Sequence, residues 1–235
     1  MRALLNSCAF VIINSMNEIL FLLHIITVAT FVLGAFYLGK EALIACICVQ
    51  GVLANLFVVK QMSLFGLDVT CSDVFVIGGV LGLNLLQEYY GQKIVKKTIW
   101  ISFFIMLFYL VMSQFQLFYI PNSYDQTHEM FKGILQFMPR ITIASIFVYL
   151  LIQRIDCWFY GILKRAFAGK YLVARNIFAI ICTQFLDTVF FTILGLYGIV
   201  GSVLSVIVVS FIVKIIVIFI ATPFVALSRR VKVSR

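Results

Sequence analysis

Seven runs of mostly apolar residues fill this chain, at about 19–38, 42–59, 70–87, 98–119, 141–163, 176–197 and 203–227. Each is close to the ~20 residues a helix needs to cross the hydrocarbon core of a bilayer. Within lipid every backbone N–H and C=O must be satisfied inside the protein, which leaves helices and closed barrels as spanning structures. The runs are continuous rather than alternating, so helices are expected. Hydrophobic residues make up 63% of the 235 positions and charged ones 11%, too little polar surface to cover a soluble particle. That excludes a cytosolic enzyme, a disordered regulator and a secreted disulfide scaffold. The expected fold is all-α: one polytopic membrane bundle over residues 1–235, with seven transmembrane helices. The third run is the weakest, because it carries Asp73, Gly78, Gly79, Gly82 and Asn84.

The connections support this division. Lys93, Lys96 and Lys97 follow the third run, and Lys164, Arg165, Lys170 and Arg175 follow the fifth. Arg229, Arg230, Lys232 and Arg235 follow the last, and Lys40 lies between the first two. These stretches fall on alternate loops, while the other side holds Arg2, Lys60, Lys132 and Arg140. Cytoplasmic loops collect Lys and Arg, so the C-terminus is expected inside and the N-terminus outside. The net charge of +9 is read as this asymmetry and not as a nucleic-acid footprint. Residues 1–17 make a poor signal peptide, because no small-x-small site follows. The longest connection, 120–139, contains a stretch at 130–138 that could lie flat on the membrane.

Six cysteines show no CxxC pair and two histidines, His24 and His128, are far apart, so neither a disulfide framework nor a metal site is expected. Metalloprotease, nucleophile-elbow and P-loop patterns are absent, and the chain reads as neither an enzyme nor a cofactor carrier.

What remains is a small set of polar residues at depth, each costly in lipid unless it is paired or used. In the fifth run Gln153 and Asp156 are spaced i, i+3, with Tyr149 and Tyr160 extending the same stripe. The sixth repeats the pattern with Gln184 and Asp187. The two runs match at an offset of 31, their shared Gln-x-x-Asp being the specific part, as internal repeats of transporters do. Lys214, with Ser210 a turn before it, is the one cation within the seventh run. Asp187 could pair with Lys214 and simply neutralise buried charge, or both could face a cargo. Asn84 and Glu88 form an i, i+4 pair near the cytoplasmic end of the third run. Asn55 and Gln50 are open to either helix–helix bonding or cavity lining. Asp73, at the outer end of its run, is expected to be a solvated interfacial residue.

Several stretches together are familiar. Leu83-Asn84-Leu85-Leu86-Gln87-Glu88-Tyr89-Tyr90-Gly91 resembles the D-x-x-x-E-x-Y-G pattern of the queuosine-precursor transporter family, of the vitamin uptake type. Pro139-Arg140 with Ser145, Tyr149, Gln153 and Asp156 is similar to that family's P-R…S…Y…Q-x-x-D segment. Arg175-Asn176…Thr183-Gln184-Phe185-Leu186-Asp187-Thr188…Phe191 resembles its R-N…S-Q-x-x-D-T…F signature. Lys214 and Thr222-Pro223-Phe224 match its closing helix, and Asn55 with Lys60 its first shared helix. The likeness covers about 50–227; Asn84 stands where the family has Asp, and the first run is an addition to a six-helix core.

The resemblance implies a multi-pass protein of the inner membrane that imports queuine or a related 7-deazaguanine base, a small nucleobase used to modify tRNA. Such a base offers ring N–H and amino donors side by side, which a carboxylate accepts as a pair. Its carbonyl takes an amide or ammonium donor and its face stacks on an aromatic ring. Asp187 or Asp156 would be the acceptor, Gln184 or Gln153 the amide donor, and Tyr149 or Phe191 the wall. Asn55, Asn84, Glu88 and Lys214 complete the candidate site. Two other classes compete: a substrate-binding subunit of an energised vitamin-type transporter, and a structural membrane protein whose charges only pair helices. The sequence leaves a homo-oligomer open.

Overall fold

The computed structural model describes residues 2–166 and 172–228. The side chains of 2–15, 153, 156, 157, 160, 161, 163–166, 172–177, 179 and 180, and those from 216 on, lie outside the described residues. Its helices are α1 (Arg2–Leu38), α2 (Lys40–Phe57), α3 (Asp73–Tyr90), α4 (Gln92–Phe118), α5 (His128–Leu135), α6 (Met138–Ala166), α7 (Leu172–Phe191) and α8 (Val203–Ser228). A π-helical turn, Thr192–Leu196, continues α7. Among the described residues, seven long helices overlap the seven apolar runs, with α1 beginning well before its run. By length and hydropathy, the stretches Met16–Leu38, Lys40–Phe57, Gln92–Phe118 and His128–Ile152 are sufficient to cross a membrane, and shorter apolar helices lie at Ile181–Leu196 and Val203–Ile215.

Single glycines make two of the turns. Gly39 (φ 117°) joins α1 to α2 and Gly91 (φ 82°) joins α3 to α4, each in a conformation other residues rarely adopt, so consecutive helices fold back directly. α2 and α3 pack closely because their contact face carries small residues. A methyl added at Gly78 would stand 2.2 Å from Gln50 Oε1 and 2.3 Å from Val28 Cγ1, and one at Gly82 would stand 2.7 Å from Ile47 Cγ1. Close approach of this kind supplies the dispersion contact that associates helices where lipid removes the hydrophobic drive. α1 closes the same group from outside, burying Val28, Ala29, Val32 and Phe36 with Val74, Leu81 and Leu85 of α3.

One element lies between the second and third runs that the sequence reading passed over. β1 (Gln61–Leu64) and β2 (Leu67–Thr70) form an antiparallel hairpin with Leu64 opposite Leu67. Its two central residues, Phe65 and Gly66, both have positive φ (52° and 77°), the pattern of a type I′ turn. Alternation places Leu64 and Val69 inward, where they are buried with Ile77 of α3 and Val209 and Val213 of α8. The hairpin is tied down on both sides. Asn17 donates to Ser63 O (3.2 Å) and the Phe65 amide donates to Glu18 Oε1 (3.2 Å). Gln61 donates to Ile199 O (3.2 Å) and accepts from the Gly201 amide (2.9 Å). α3 therefore starts at Asp73 and not at Thr70.

In the long loop, Asp125 accepts bonds from Thr127 and His128 and so frames the start of α5. These donors hold its carboxyl below the usual carboxylate range. α5 overlaps the 130–138 stretch read as a surface segment, beginning at His128 and ending at Leu135, with Met130 and Phe131 exposed and Leu135 buried.

Candidate functional site

α2, α3, α4, α6, α7 and α8 surround a cavity of about 290 Å³, near the lower limit of small-molecule sites. Most of its wall is apolar, and its charged groups cluster where α3, α7 and α8 meet.

Lys214 of α8 reaches Asp187 of α7 in a salt bridge of 2.5 Å, both side chains largely sequestered at 15% and 26% exposure. One turn before Lys214, Ser210 donates to Asp73 Oδ2 at 2.9 Å. Asp73 is 6% exposed, which corrects the expectation of a solvated interfacial residue. The hairpin is the reason: it folds back over the end of α3 and, with Val209 and Val213, covers the position that a bare helix end would have exposed. As the first residue of α3, Asp73 lies at the helix terminus that favours negative charge. Thr70 and Ser72 beside it share a hydroxyl–hydroxyl bond of 2.8 Å.

Asn55 of α2 is both a bridge and a lining residue. Its carbonyl oxygen accepts from Ser145 of α6 at 2.9 Å and its amide nitrogen approaches Met106 Sδ of α4 at 3.0 Å. Gln50, one turn and a half earlier, bonds Cys46 Sγ at 3.1 Å, and its Oε1 is buried with no hydrogen-bond partner. Aromatic rings complete the wall: Phe103 meets Tyr149 edge-on at 5.0 Å, and Phe75 stacks on Phe57 at 5.7 Å. Phe191 lines the same space from the end of α7. The π-turn that follows is held by Arg140, whose Nε donates to Leu194 O at 2.9 Å. π-turns recur at functional sites, and here Thr192 and Leu196 of the turn line the cavity.

Of the residues expected from sequence, Asp187, Lys214, Tyr149, Phe191 and Asn55 are brought together around this one cavity. Gln184, a turn before Asp187, is half-buried and off the cavity wall. Asn84 and Glu88 are exposed and do not line it. They lie 11 and 15 residues along α3 from Asp73, about 16 and 22 Å at the helical rise. The side chains of Gln153 and Asp156 lie outside the described residues. Sequence reasoning missed Asp73, Phe75 and Phe103 as site residues. The hairpin's alternation and its Gly66 were the available signal for the first; the two phenylalanines were indistinguishable among 24.

Comparison with known proteins bears on the same region. The family described as "Putative vitamin uptake transporter" matches residues 71–228, which include Asp73, Tyr149, Asp187 and Lys214. A "Probable queuosine precursor transporter" of Bacillus subtilis (strain 168) is 31% identical over 179 residues, covering 76% of this chain and 77% of that protein. No solved structure matches.

Proposed function

This chain belongs to the vitamin uptake transporter family, and from that premise we propose that it carries a queuosine precursor, a 7-deazaguanine base, across the cytoplasmic membrane. The observation that carries this reading is the cavity itself, with an ion pair, a second carboxylate and four aromatic side chains enclosed among apolar helices. The similar Bacillus protein supports the choice of cargo. The seven long helices would each span the bilayer, with the C-terminus cytoplasmic and α5 along the outer surface.

The ion pair suits the cargo's edge. A guanine-like edge presents two donors and one carbonyl acceptor in a row. Asp187 has lone pairs beyond those used by Lys214, and Lys214 has hydrogens beyond the one given to Asp187. Side by side, the two offer an acceptor next to a donor, which matches that row without unpaired groups. Rejecting an analogue that lacks the donors then follows from the cost of leaving a buried carboxylate unmet. Tyr149, Phe103 and Phe191 would provide the flat wall on which the base stacks. Gln153 and Asp156 lie four and seven residues beyond Tyr149 on α6, and with Gln184 would form the next contacts as the cargo moves inward. Asn84 and Glu88, at the far end of α3, would belong to the cytoplasmic exit. Movement would follow alternating access, helices rocking about a site at mid-depth.

The test is uptake of radiolabelled 7-deazaguanine bases into cells without a transporter of their own, with and without this protein. Saturable uptake, competed by bases that carry the same guanine-like edge and not by analogues that lack its donors, is the expected result. Absence of uptake from well-expressed protein overturns the reading.

A further inference from the structure

Asp73 differs from the other charged groups of the cavity in making no salt bridge among the described residues: the nearby ammonium, Lys214, is bonded to Asp187. Among the described residues the wall carries two carboxylates, Asp73 and Asp187, and one ammonium, Lys214. Lys214 is engaged by Asp187. The hydrogen bond that Asp73 receives comes from Ser210, a neutral hydroxyl. The site therefore holds one negative charge in excess, at a residue that is 6% exposed.

A carboxylate so placed is costly unless something compensates it. The start of α3 and the Ser210 hydroxyl offset part of the cost. Neither explains why the charge is kept where an asparagine would accept the same hydrogen bond. Structural anchoring of the helix end is already provided by the hairpin, through Leu64 and Val69. A buried carboxylate beside a cavity is, however, the strongest attractor available for a cation that enters it, because the apolar surroundings screen the attraction poorly. Phe75 and Phe103 line the same space, and aromatic faces also favour a cation.

We propose that Asp73, positioned by Ser210, is the counter-charge for a protonated amine on the cargo, so that the transporter selects amine-bearing bases over neutral ones of the same shape. The inference rests on the cavity being the base-binding site, with the Asp187–Lys214 pair reading the base and Asp73 reading its substituent. It places the amine of the bound base toward the hairpin and the ring toward α7.

The experiment compares uptake of 7-aminomethyl-7-deazaguanine with that of its hydroxymethyl counterpart, which matches it in size and lacks the charge. The ratio of their kcat/KM values is the readout, since it does not depend on how much protein reaches the membrane. Wild-type protein favours the amine, and Asp73→Asn reduces that ratio about 10- to 100-fold, as expected for loss of a charge-assisted contact. Ser210→Ala lowers the ratio in the same direction by less, and Asp73→Glu retains part of it. A wild-type ratio near one, or an Asp73→Asn ratio equal to wild type, overturns the proposal. If wild-type protein carries both bases equally well, only the charge selection falls. Should it carry neither, the base-binding reading falls and the proposal with it.

Discussion

The Asp187–Lys214 bridge can be separated into a structural part and a substrate-binding part by breaking it in three ways. Its side chains are 26% and 15% exposed, so each charge is mostly but not wholly withdrawn from solvent. Removing one partner of a fully buried pair costs about 3–5 kcal/mol, because the other is left uncompensated. With the cavity open beside them, about 2 kcal/mol is expected here for Asp187→Asn, which leaves Lys214 still near Asp73. In a chain of this size that corresponds to about 4–8 °C in apparent Tm. Lys214→Met is expected to be worse, because it strands Asp187 and Asp73 together on one cavity with no cation. The double change Asp187→Leu with Lys214→Met removes both charges, and stability should return to within about 1 kcal/mol of the parent. Uptake of the base should not return with it. The assay is thermal aggregation of detergent-purified variants alongside radiolabelled uptake at matched surface expression. Recovery of uptake in the double variant would show that the pair only holds helices together, and would refute its role in recognition.

Further expectations follow from the packing. Gly78→Ala forces a methyl against Gln50 and Val28 and should destabilise by about 1–3 kcal/mol, measured as a fall in apparent Tm. Gly79 lines the cavity with nothing within 4 Å of an added methyl, so Gly79→Leu should leave Tm near wild type while blocking uptake by filling the site; normal uptake would contradict the location of the cargo. Phe65 is exposed at positive φ, so Phe65→Asn should stabilise the hairpin by up to about 1 kcal/mol, whereas Gly66→Val should cost about 1–2 kcal/mol. Because the carboxyl of Asp125 is held below the usual range by Thr127 and His128, its contribution is present at neutral pH and is lost as pH falls through that depressed value. Protection factors of the amides at the first turn of α5, measured against intrinsic exchange at each pH, should fall on acidification through that range, and in Asp125→Ala should be low already at neutral pH.

How legible all this was in the sequence depended on whether a residue's meaning was carried by its own run. The long helices were readable because each overlaps a run of mostly apolar residues, four of them long and apolar enough to cross a bilayer. Lys214 stood out because it is the one charge in its run, and its pairing with Asp187 was one of the two readings open for it. Asp73 was misplaced for a non-local reason. Its exposure was inferred from its position at the end of a run, and that inference holds only if the end of the run is bare. The residues that cover it, Leu64 and Val69, sit in a ten-residue connection whose Phe-Gly turn lacks the Asn-Gly or Asp-Gly signature of a hairpin. The Gln-x-x-Asp repeat was readable as a pattern, yet it divided on folding: Asp187 faces the cavity while Gln184, a turn earlier, does not. Spacing places residues on a helix face, but neighbouring helices decide where along that face the cavity begins and ends.

The hairpin gives the cavity its asymmetry. α3 begins against the cavity, with Thr70, Ser72 and Asp73 on its wall. Non-helical backbone at depth is tolerated where protein buries it or where it lines a cavity, and the hairpin meets both conditions. A continuous helix through residues 61–73 would have turned Asp73 toward one neighbour and left no oriented helix terminus beside the site. Ending the helix there instead directs its N-terminal dipole and a carboxylate into the cavity, where Ser210 holds that carboxylate one turn of α8 from the ion pair. On the proposed reading, a bound base would meet a neutralised ion pair at one end and a carboxylate without a salt bridge at the other. That difference would give the proposed cargo a single preferred orientation, which two matched carboxylate–amide pairs facing each other would not.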